Sequence, residues 1–203
     1  MIFSRHTPCL RDVLRTVLLA MVLTGAWAAH GGALAWSEVV TDAAGRSISV
    51  AQPFQRVISL YGAHTENLFM LGAEEALIGV GRNEAYTPRA SSRPVFSYHD
   101  GPERFLAAAP DLVLIRPMID RGYPQLISRL EKSGITVVSL QPGTVDEMYT
   151  YWRILGILTG RHDRALKMIT SFQQAILKFN TRSDSVVIRK KVYFESIHNK
   201  MKT

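Results

Sequence analysis

Hydrophobic residues from position 57 onward fall into five short, unalternated runs that are rich in β-branched side chains. Runs of this kind are typical of strands that are covered on both faces. The predicted strands span residues 57–60, 76–80, 94–96, 112–115 and 136–140. Helix-like segments separate most of them, and a strand–helix–strand unit with a short crossover gives a right-handed parallel pair. The pattern predicts an α/β fold, namely an open parallel sheet lobe with flanking helices.

Two local motifs flank this predicted sheet. Before it, residues 38–41 and 46–50 are predicted to form a small hairpin in which Gly45 supplies the positive φ of the turn. After it, Thr144 is predicted to cap a helix, because Glu147 stands three residues on as a capping-box partner.

A longer helix is predicted from residue 163 to about 179, and its apolar residues form one stripe that we expect to face the core. The stripe consists of Ala165, Met168, Ile169, Phe172, Ile176 and Phe179. Residues 191–194 begin a further strand, which is not stable without a neighbour. We therefore expect the lobe to be followed by a long bridging helix and by the start of a second α/β lobe that has been cut short.

The first 35 residues have the parts of a secretory signal peptide. Basic residues come first, residues 16–27 are almost wholly apolar, and small residues end in Ala33-Leu34-Ala35. The apolar run is shorter than the ~20 residues that span a bilayer, so we expect cleavage after Ala35 and no permanent anchor. The single cysteine, Cys9, precedes this run, which argues against a lipid-attachment site. The protein is therefore predicted to be periplasmic or otherwise exported.

These patterns predict four segments in chain order. They are a signal peptide (1–35), an N-terminal α/β lobe (36–160), a bridging helix (161–182) and the beginning of a truncated second lobe (183–203).

Composition and charge limit the classes of function that the chain can have. The chain has 203 residues, of which 47% are hydrophobic and 20% charged, as in ordinary globular proteins. Its 24 Lys and Arg exceed its 17 Asp and Glu, giving a net charge of +7, but the surplus lies at the two ends of the chain. A nucleic-acid-binding protein concentrates positive charge on one face of its folded body, so nucleic acid is not an expected partner.

Several short pieces follow one another in a characteristic order and spacing over residues 38–195. They are Asp-Ala-Ala-Gly-Arg at 42–46, Arg-Val-Ile-Ser-Leu at 56–60, Thr-Glu-Asn-Leu at 65–68, Leu-Gly at 71–72, Ile-Gly-Val at 78–80, Pro-Glu-Arg-Phe at 102–105, Pro-Asp-Leu-Val-Leu at 110–114, Leu130, Gly-Ile at 134–135 and Leu-Gly at 155–156 with Leu-Thr-Gly at 158–160. In the order and spacing of these pieces, the sequence resembles the periplasmic solute-binding proteins that serve ATP-driven importers of ferric siderophores, haem and cobalamin.

The resemblance implies two α/β lobes joined by one long rigid helix, with the solute held between them and no catalysis. It implies a membrane permease and a small-molecule metal chelate as partners, and no resident cofactor, because any metal arrives inside the solute. It also implies that Glu103 docks onto the permease. Glu103 alternatively sits well in the positive first turn of a helix without any docking role.

The residues themselves select a candidate binding site. Ligands of open parallel sheets bind beyond the carboxyl ends of the strands, so the loops after each predicted strand are the candidates. The expected ligand-binding residues are Tyr61, Gly62, His64, Asn83, Tyr86, Tyr98, His99, Arg116 and Gln141. Aromatic faces with an arginine suit a large, partly apolar solute that bears carboxylates or a chelated metal.

Several alternatives stay open for these residues. They are consistent with ordinary polar loop tips; His64 could cap the first helix, and His99 could simply be solvated. A bare-metal site would have to draw its three or four ligands from a set of four. That set is His64, Glu66, His99 and Asp100.

Three functions compete on the sequence alone. The first is the binding component of a metal-chelate importer. The second is an exported α/β enzyme of unknown reaction, which is disfavoured because the chain has neither a Gly-x-Ser-x-Gly elbow nor a Gly-x-x-x-x-Gly-Lys phosphate loop. The third is a degenerate or truncated fragment that no longer binds a solute.

Overall fold

The computed structural model describes residues 37–82, 88–184 and 191. The predicted signal peptide, the predicted site residues Asn83 and Tyr86, and the strand predicted at 192–194 lie outside the described residues. The strands are β1 (Glu38–Thr41), β2 (Ser47–Val50), β3 (Val57–Ser59), β4 (Leu77–Val80), β5 (Leu112–Ile115) and β6 (Thr136–Ser139). The helices are α1 (Gly62–Met70), α2 (Pro102–Ala108), α3 (Pro117–Gly122), α4 (Pro124–Lys132), α5 (Val145–Thr159) and α6 (His162–Asp184).

A four-stranded parallel sheet forms the centre of the fold, with strand order β4-β3-β5-β6. Strands β3, β5 and β6 are buried along almost their entire length, as their unalternated apolar sequences predict. The α/β prediction with a parallel sheet and flanking helices is confirmed.

The strand predicted at 94–96 is reduced to a single parallel bridge between Val95 and Val80. The carbonyl oxygen of Pro94 and the amide of Phe96 both pair with Val80, at 3.0 and 2.7 Å. Pro94 has no N–H to donate, so the ladder does not extend beyond this bridge. A short 3₁₀ turn at Pro88–Ala90 precedes it.

Two apolar layers cover the sheet. On one face, α1, α5 and α6 pack with the β1–β2 hairpin, where Leu68, Leu155 and Leu158 have no exposed area. On the other face, α2, α3 and α4 pack around Phe105 and Leu130. Each face of the sheet therefore has its own core, which accounts for the mostly apolar, unalternated sequences of the strands.

The antiparallel β1–β2 hairpin has Gly45 at φ +80° in its turn, as predicted. Its Asp42 carboxylate is fully buried and pairs with the Arg46 guanidinium at 2.7 Å. The same carboxylate accepts the Ser139 amide at 3.0 Å, which fixes the hairpin to the end of β6. Arg46 reaches further to Asp120 of α3 and Glu131 of α4, each at 3.2 Å. The hairpin thus connects the last strand of the sheet to two helices of the opposite layer.

The cap of α5 forms as predicted, with the Thr144 hydroxyl accepting the Glu147 amide at 3.2 Å. The returning Glu147 carboxylate accepts from the amide of Gly143 at 2.6 Å, one residue earlier than in a standard capping box. Gly160 ends the helix at φ +66°.

The long helix α6 is anchored at its start. The Arg161 side chain, just before the helix, donates to the carbonyl oxygen of Gly72 at 2.9 Å, and Arg164 donates to that of Leu71 at 3.4 Å. These carbonyls belong to the C-terminal end of α1, where cationic side chains are favourable. The root of α6 is thereby attached to the end of α1.

The prediction that the whole apolar stripe of α6 faces the core is wrong for its second half. Ala165 and Ile169 are buried, but Ile176 is 40% exposed and Phe179 is 67% exposed. The helix has 23 residues and its partner α5 only 15, so the two can pack along only part of α6. In residues 37–82 and 88–184, no helix is both long and apolar enough to cross a bilayer.

Candidate functional site

The candidate site lies where the strand connections of the sheet change direction. From β3 the chain crosses through α1 to β4 on one side, whereas β5 lies on the other side of β3 and leads on to β6. In open α/β sheets such a switch point leaves a crevice beyond the carboxyl ends of the two central strands. Tyr61 follows β3 and Arg116 follows β5, so both predicted residues flank this crevice.

Tyr61 and Arg116 are in contact. The guanidinium carbon of Arg116 lies 5.0 Å from the centroid of the Tyr61 ring, within the range of a cation–π interaction. Arg116 is the N-cap of α3, and Pro117 at the first helical position fixes the backbone there. The Arg116 Nη2 also lies 3.4 Å from the Met118 sulfur. Among the described residues, no carboxylate lies within ion-pair distance of Arg116. Its charge is therefore available to an anionic group of a ligand.

His64 occupies a different position from the one we expected. Its side chain is fully buried in the first turn of the fold's first helix, α1, and is not exposed at a loop tip. Its Nε2 lies 3.0 Å from the carbonyl oxygen of Ile115, and its Nδ1 lies 2.8 Å from the Tyr151 hydroxyl. It does not cap α1, whose N-cap is Tyr61. Both ring nitrogens are occupied within the protein, so neither is free to hydrogen-bond or coordinate a solute in this arrangement.

The hydrogen bonds of His64 define its tautomer. A carbonyl oxygen only accepts, so Nε2 carries the proton, and Nδ1 accepts from the Tyr151 hydroxyl. Burial lowers the pKa of His64 to about 4, and the nearby positive charge of Arg116 acts in the same direction. Burial likewise raises the pKa of Tyr151. Both groups are therefore neutral at physiological pH and form a fixed polar link between β5, α1 and α5.

A pocket of about 230 Å³ adjoins this pair on the side of α1 and α5. Its walls come from the loops after β3 and β6 and from the facing sides of the two helices. The lining residues are Tyr61, Ala63, His64, Asn67, Gln141, Pro142, Met148, Tyr151 and Trp152. Tyr61 thus belongs both to the pocket and to the contact with Arg116. Gln141, one of the predicted site residues, is exposed and lines the same pocket.

A second aromatic group includes two other predicted residues. The Tyr98 and His99 rings lie 4.5 Å apart, and both contact Tyr123, at 4.9 and 5.2 Å between ring centroids. The Tyr123 hydroxyl is 3.0 Å from the His99 Nδ1. Tyr98 and Tyr123 pack against the core on the α2–α3–α4 face. This group therefore belongs to the opposite side of the sheet from the pocket.

The remaining predicted residues take simple positions. Gly62 is the half-buried first residue of α1. Glu103 lies in the first turn of α2 with 74% of its side chain exposed, and its carboxylate is 4.0 Å from Arg129. Glu66 is exposed. In the described part of the chain, no three or more His, Cys, Asp or Glu side chains are grouped so that they could hold a metal ion.

The helical half of the pocket was not predicted from the sequence. Asn67, Met148, Tyr151 and Trp152 lie within α1 and α5 rather than in the loops before them. A signal was present, because Met148, Tyr151 and Trp152 follow the Thr144 cap with helical i, i+3 and i+4 spacing. Tyr123 was missed for a related reason: the short helix α3, which it follows, was not predicted.

Comparisons with known proteins identify the family to which the chain belongs. A family model described as periplasmic binding protein matches residues 57–201. The chain is 34% identical over 125 residues to the vitamin B12-binding protein of Pectobacterium carotovorum, covering 60% of this chain and 44% of that protein. It is 21% identical over 149 residues to an uncharacterized ABC transporter substrate-binding lipoprotein of Bacillus subtilis, covering 72% and 48%.

Among solved structures, a possible iron-binding (periplasmic solute-binding) protein of Staphylococcus epidermidis superposes with a TM-score of 0.61 at 24% identity. The match covers 69% of this chain and 55% of that one, and at this identity it supports the shared fold. The chain spans about half the length of the curated relatives that it matches. Because the family model covers well over half of the sequence, this chain belongs to the periplasmic binding protein family.

Proposed function

We propose that this chain is the solute-binding component of an ATP-driven importer and that it binds a metal chelate of the iron-siderophore, haem or cobalamin class outside the cytoplasm. The observation that carries the proposal is the Arg116–Tyr61 contact at the switch point of the sheet. A guanidinium that lies on an aromatic face, with no carboxylate partner among the described residues, suits a large ring system or chelate that carries carboxylates. The vitamin B12-binding relative adds support for a chelate of this kind.

The proposal excludes catalysis and a resident cofactor. The charged side chain that flanks the switch point is Arg116, and an arginine is not a nucleophile or a general base at neutral pH. The nearest histidine, His64, is buried with both ring nitrogens hydrogen-bonded. We therefore infer that the site holds its solute by contact alone, and that any metal enters as part of the solute.

Export and docking belong to the same proposal. The basic start, the apolar run and the Ala33-Leu34-Ala35 sequence support cleavage after residue 35, and the position of Cys9 before the apolar run argues against lipid attachment. Glu103 is exposed at the start of α2, so its carboxylate is accessible to a permease arginine. We propose it as one contact with the importer.

Isothermal titration calorimetry tests the binding function directly. Haem and corrinoids absorb tryptophan emission, so heat is a cleaner signal than fluorescence. Purified protein should bind haem, cyanocobalamin or a ferric siderophore saturably, and Tyr61→Ala should weaken the binding. Thr170→Ala, at an exposed position on α6, serves as a control. Failure of all three solute classes to bind protein with intact helical circular dichroism would overturn the proposed function.

A further inference from the structure

The walls of the pocket between α1 and α5 carry no formal charge. None of the lining residues is Asp, Glu, Lys or Arg. The polar side chains in its depth are already paired: Asn67 Oδ1 accepts from the Trp152 Nε1 at 2.6 Å, and Asn67 Nδ2 donates to the carbonyl oxygen of Ala63 at 2.6 Å. His64 and Tyr151 hydrogen-bond each other. An ion or strongly polar group that reached these paired groups would lose its hydration without gaining new partners from them.

The size and the surfaces of the pocket favour a flat ring. Its volume is about 230 Å³, whereas an engineered cavity of ~150 Å³ in another protein binds benzene. The space therefore suits a ring system about as large as two fused rings. Tyr61, Tyr151 and Trp152 line it with aromatic surface, and aromatic rings pack well against one another in offset or edge-to-face geometry.

The pocket also shares a residue with the proposed chelate site. Tyr61 lines the pocket and touches the Arg116 guanidinium. A solute lying over Tyr61 and Arg116 could therefore place a substituent in the pocket. The rim residue Gln141 is exposed and could contact the link between the two parts.

We propose that this pocket binds an uncharged, planar aromatic arm of the transported solute, about two fused rings in size, while the anionic body of the solute contacts Arg116. This inference rests on the proposed function and adds a second recognition element to it. It predicts that solutes with such an arm are bound in preference to solutes with a charged or a linear apolar substituent.

Indole is a suitable probe, because it is a neutral bicyclic ring that can enter the pocket without the rest of a solute. The full chain labelled with ¹⁵N has three tryptophans, and the Nε1–H signal of Trp152 is identified by its loss in Trp152→Phe. Indole should shift the Trp152 signal saturably and leave the other two indole signals in place. Indole-3-acetate and n-hexanol, as charged and linear probes, should bind at least tenfold more weakly.

Two pairs of variants make the test specific. Ala63→Phe and Met148→Trp each fill the pocket and should abolish the indole shift. Ala107→Phe and Met70→Trp make the same changes at exposed helical positions and should leave it intact. Ala63→Phe should also weaken the chelate bound by the wild type at least tenfold. Circular dichroism melting of each variant establishes that it is folded. If only one of the two pocket variants folds, that variant alone is enough for the test.

The outcomes separate this inference from the proposed function. If the wild type binds a chelate but does not bind indole, the aromatic-arm inference is overturned and the proposed function stands. The aromatic-arm inference is likewise overturned if folded Ala63→Phe binds the chelate as tightly as the wild type, or if n-hexanol binds as well as indole. If indole binds with the expected sensitivity to Ala63→Phe but no chelate binds, the proposed function fails and the ring preference of the pocket remains.

Discussion

The guanidinium carbon of Arg116 lies 5.0 Å from the centre of the Tyr61 ring, so the residue after β5 rests on the aromatic side chain that follows β3. The pair brings a positive charge and a flat apolar surface together at the point where the strand connections diverge. The contact therefore gives the first prediction its target.

Arg116→Gln should weaken the binding of an anionic chelate by about 10- to 100-fold, the range for losing a hydrogen bond to a charged group. The loss should be smaller at high salt, because the site is partly exposed and its charge is screened. Calorimetric titrations at two ionic strengths measure both effects. Arg121→Gln, at an exposed position on the same helix, should bind normally. Unchanged affinity in Arg116→Gln would show that the anionic group lies elsewhere.

His64 should make the protein less stable in mild acid. Its pKa is about 4 in the fold and 6.5 in an ordinary environment, so between these values the unfolded chain takes up a proton that the folded chain does not. The free energy of unfolding should fall as pH drops from 6.5 toward 4, by about 3 kcal/mol at most. Urea unfolding across this range measures the slope. His64→Gln should lose that part of the slope, and His99→Gln, at an exposed ring, should keep it.

Asp42→Asn should be strongly destabilising. The Asp42 carboxylate has no exposed area and accepts from the amides of Ala44, Arg46 and Ser139 and from the Arg46 guanidinium. Removing its charge leaves a partly buried guanidinium without its main partner, at a cost of about 3–5 kcal/mol. Chemical denaturation gives the difference. Asp146→Asn, at an exposed helix start, should cost less than about 1 kcal/mol. Equal effects of the two substitutions would contradict the role assigned to Asp42.

Glu103→Arg should separate docking from binding. The side chain is 74% exposed and lies apart from the pocket, so chelate affinity should not change. Stimulation of ATP hydrolysis by the reconstituted importer should fall, because a reversed charge repels a permease arginine. Glu75→Arg is a matched reversal at another exposed position. Normal stimulation by Glu103→Arg would remove the docking role.

Two glycines at positive φ should differ in their sensitivity to alanine. Gly134 has φ +81°, and no atom lies within 4 Å of the place that a Cβ would take, so Gly134→Ala should cost only backbone strain, about 1 kcal/mol. Gly160 has φ +66°, and its added methyl group would lie 2.7 Å from Pro53. Gly160→Ala should therefore cost about 1–3 kcal/mol more. Thermal melts of the two variants test the order, which a similar melting temperature for both would contradict.

The sequence predicted the sheet well, because strands buried on both faces are recognisable from the sequence itself. The strand-end rule also selected Tyr61 and Arg116 without knowledge of the strand order. The rule does not predict that β3 and β5 are neighbours in the sheet. That strand order depends on the direction in which each crossover connection runs, which no local sequence pattern encodes. The reduced strand at Pro94 shows a local limit, since a short apolar run with proline forms only a bridge.

The role of His64 could not be predicted for a different reason. Its two hydrogen-bond partners lie 51 and 87 residues further along the chain, and nothing near His64 in the sequence indicates them. The pocket could be predicted only in part, for a similar reason. The helical spacing of Tyr151 and Trp152 predicts that they face inward, but the gap between α1 and α5 depends on the distance between two helices.

The attachment of α1 at both ends has a mechanical consequence. Its first turns are held to β5 and α5 through His64, and its last carbonyls are held by Arg161 and Arg164 at the root of α6. A nine-residue helix behaves as a stiff rod about 13 Å long. A rotation of α6 would therefore displace α1 and, with it, the preceding residue Tyr61. Conversely, a ligand that immobilises Tyr61 would restrict the rotation of α6.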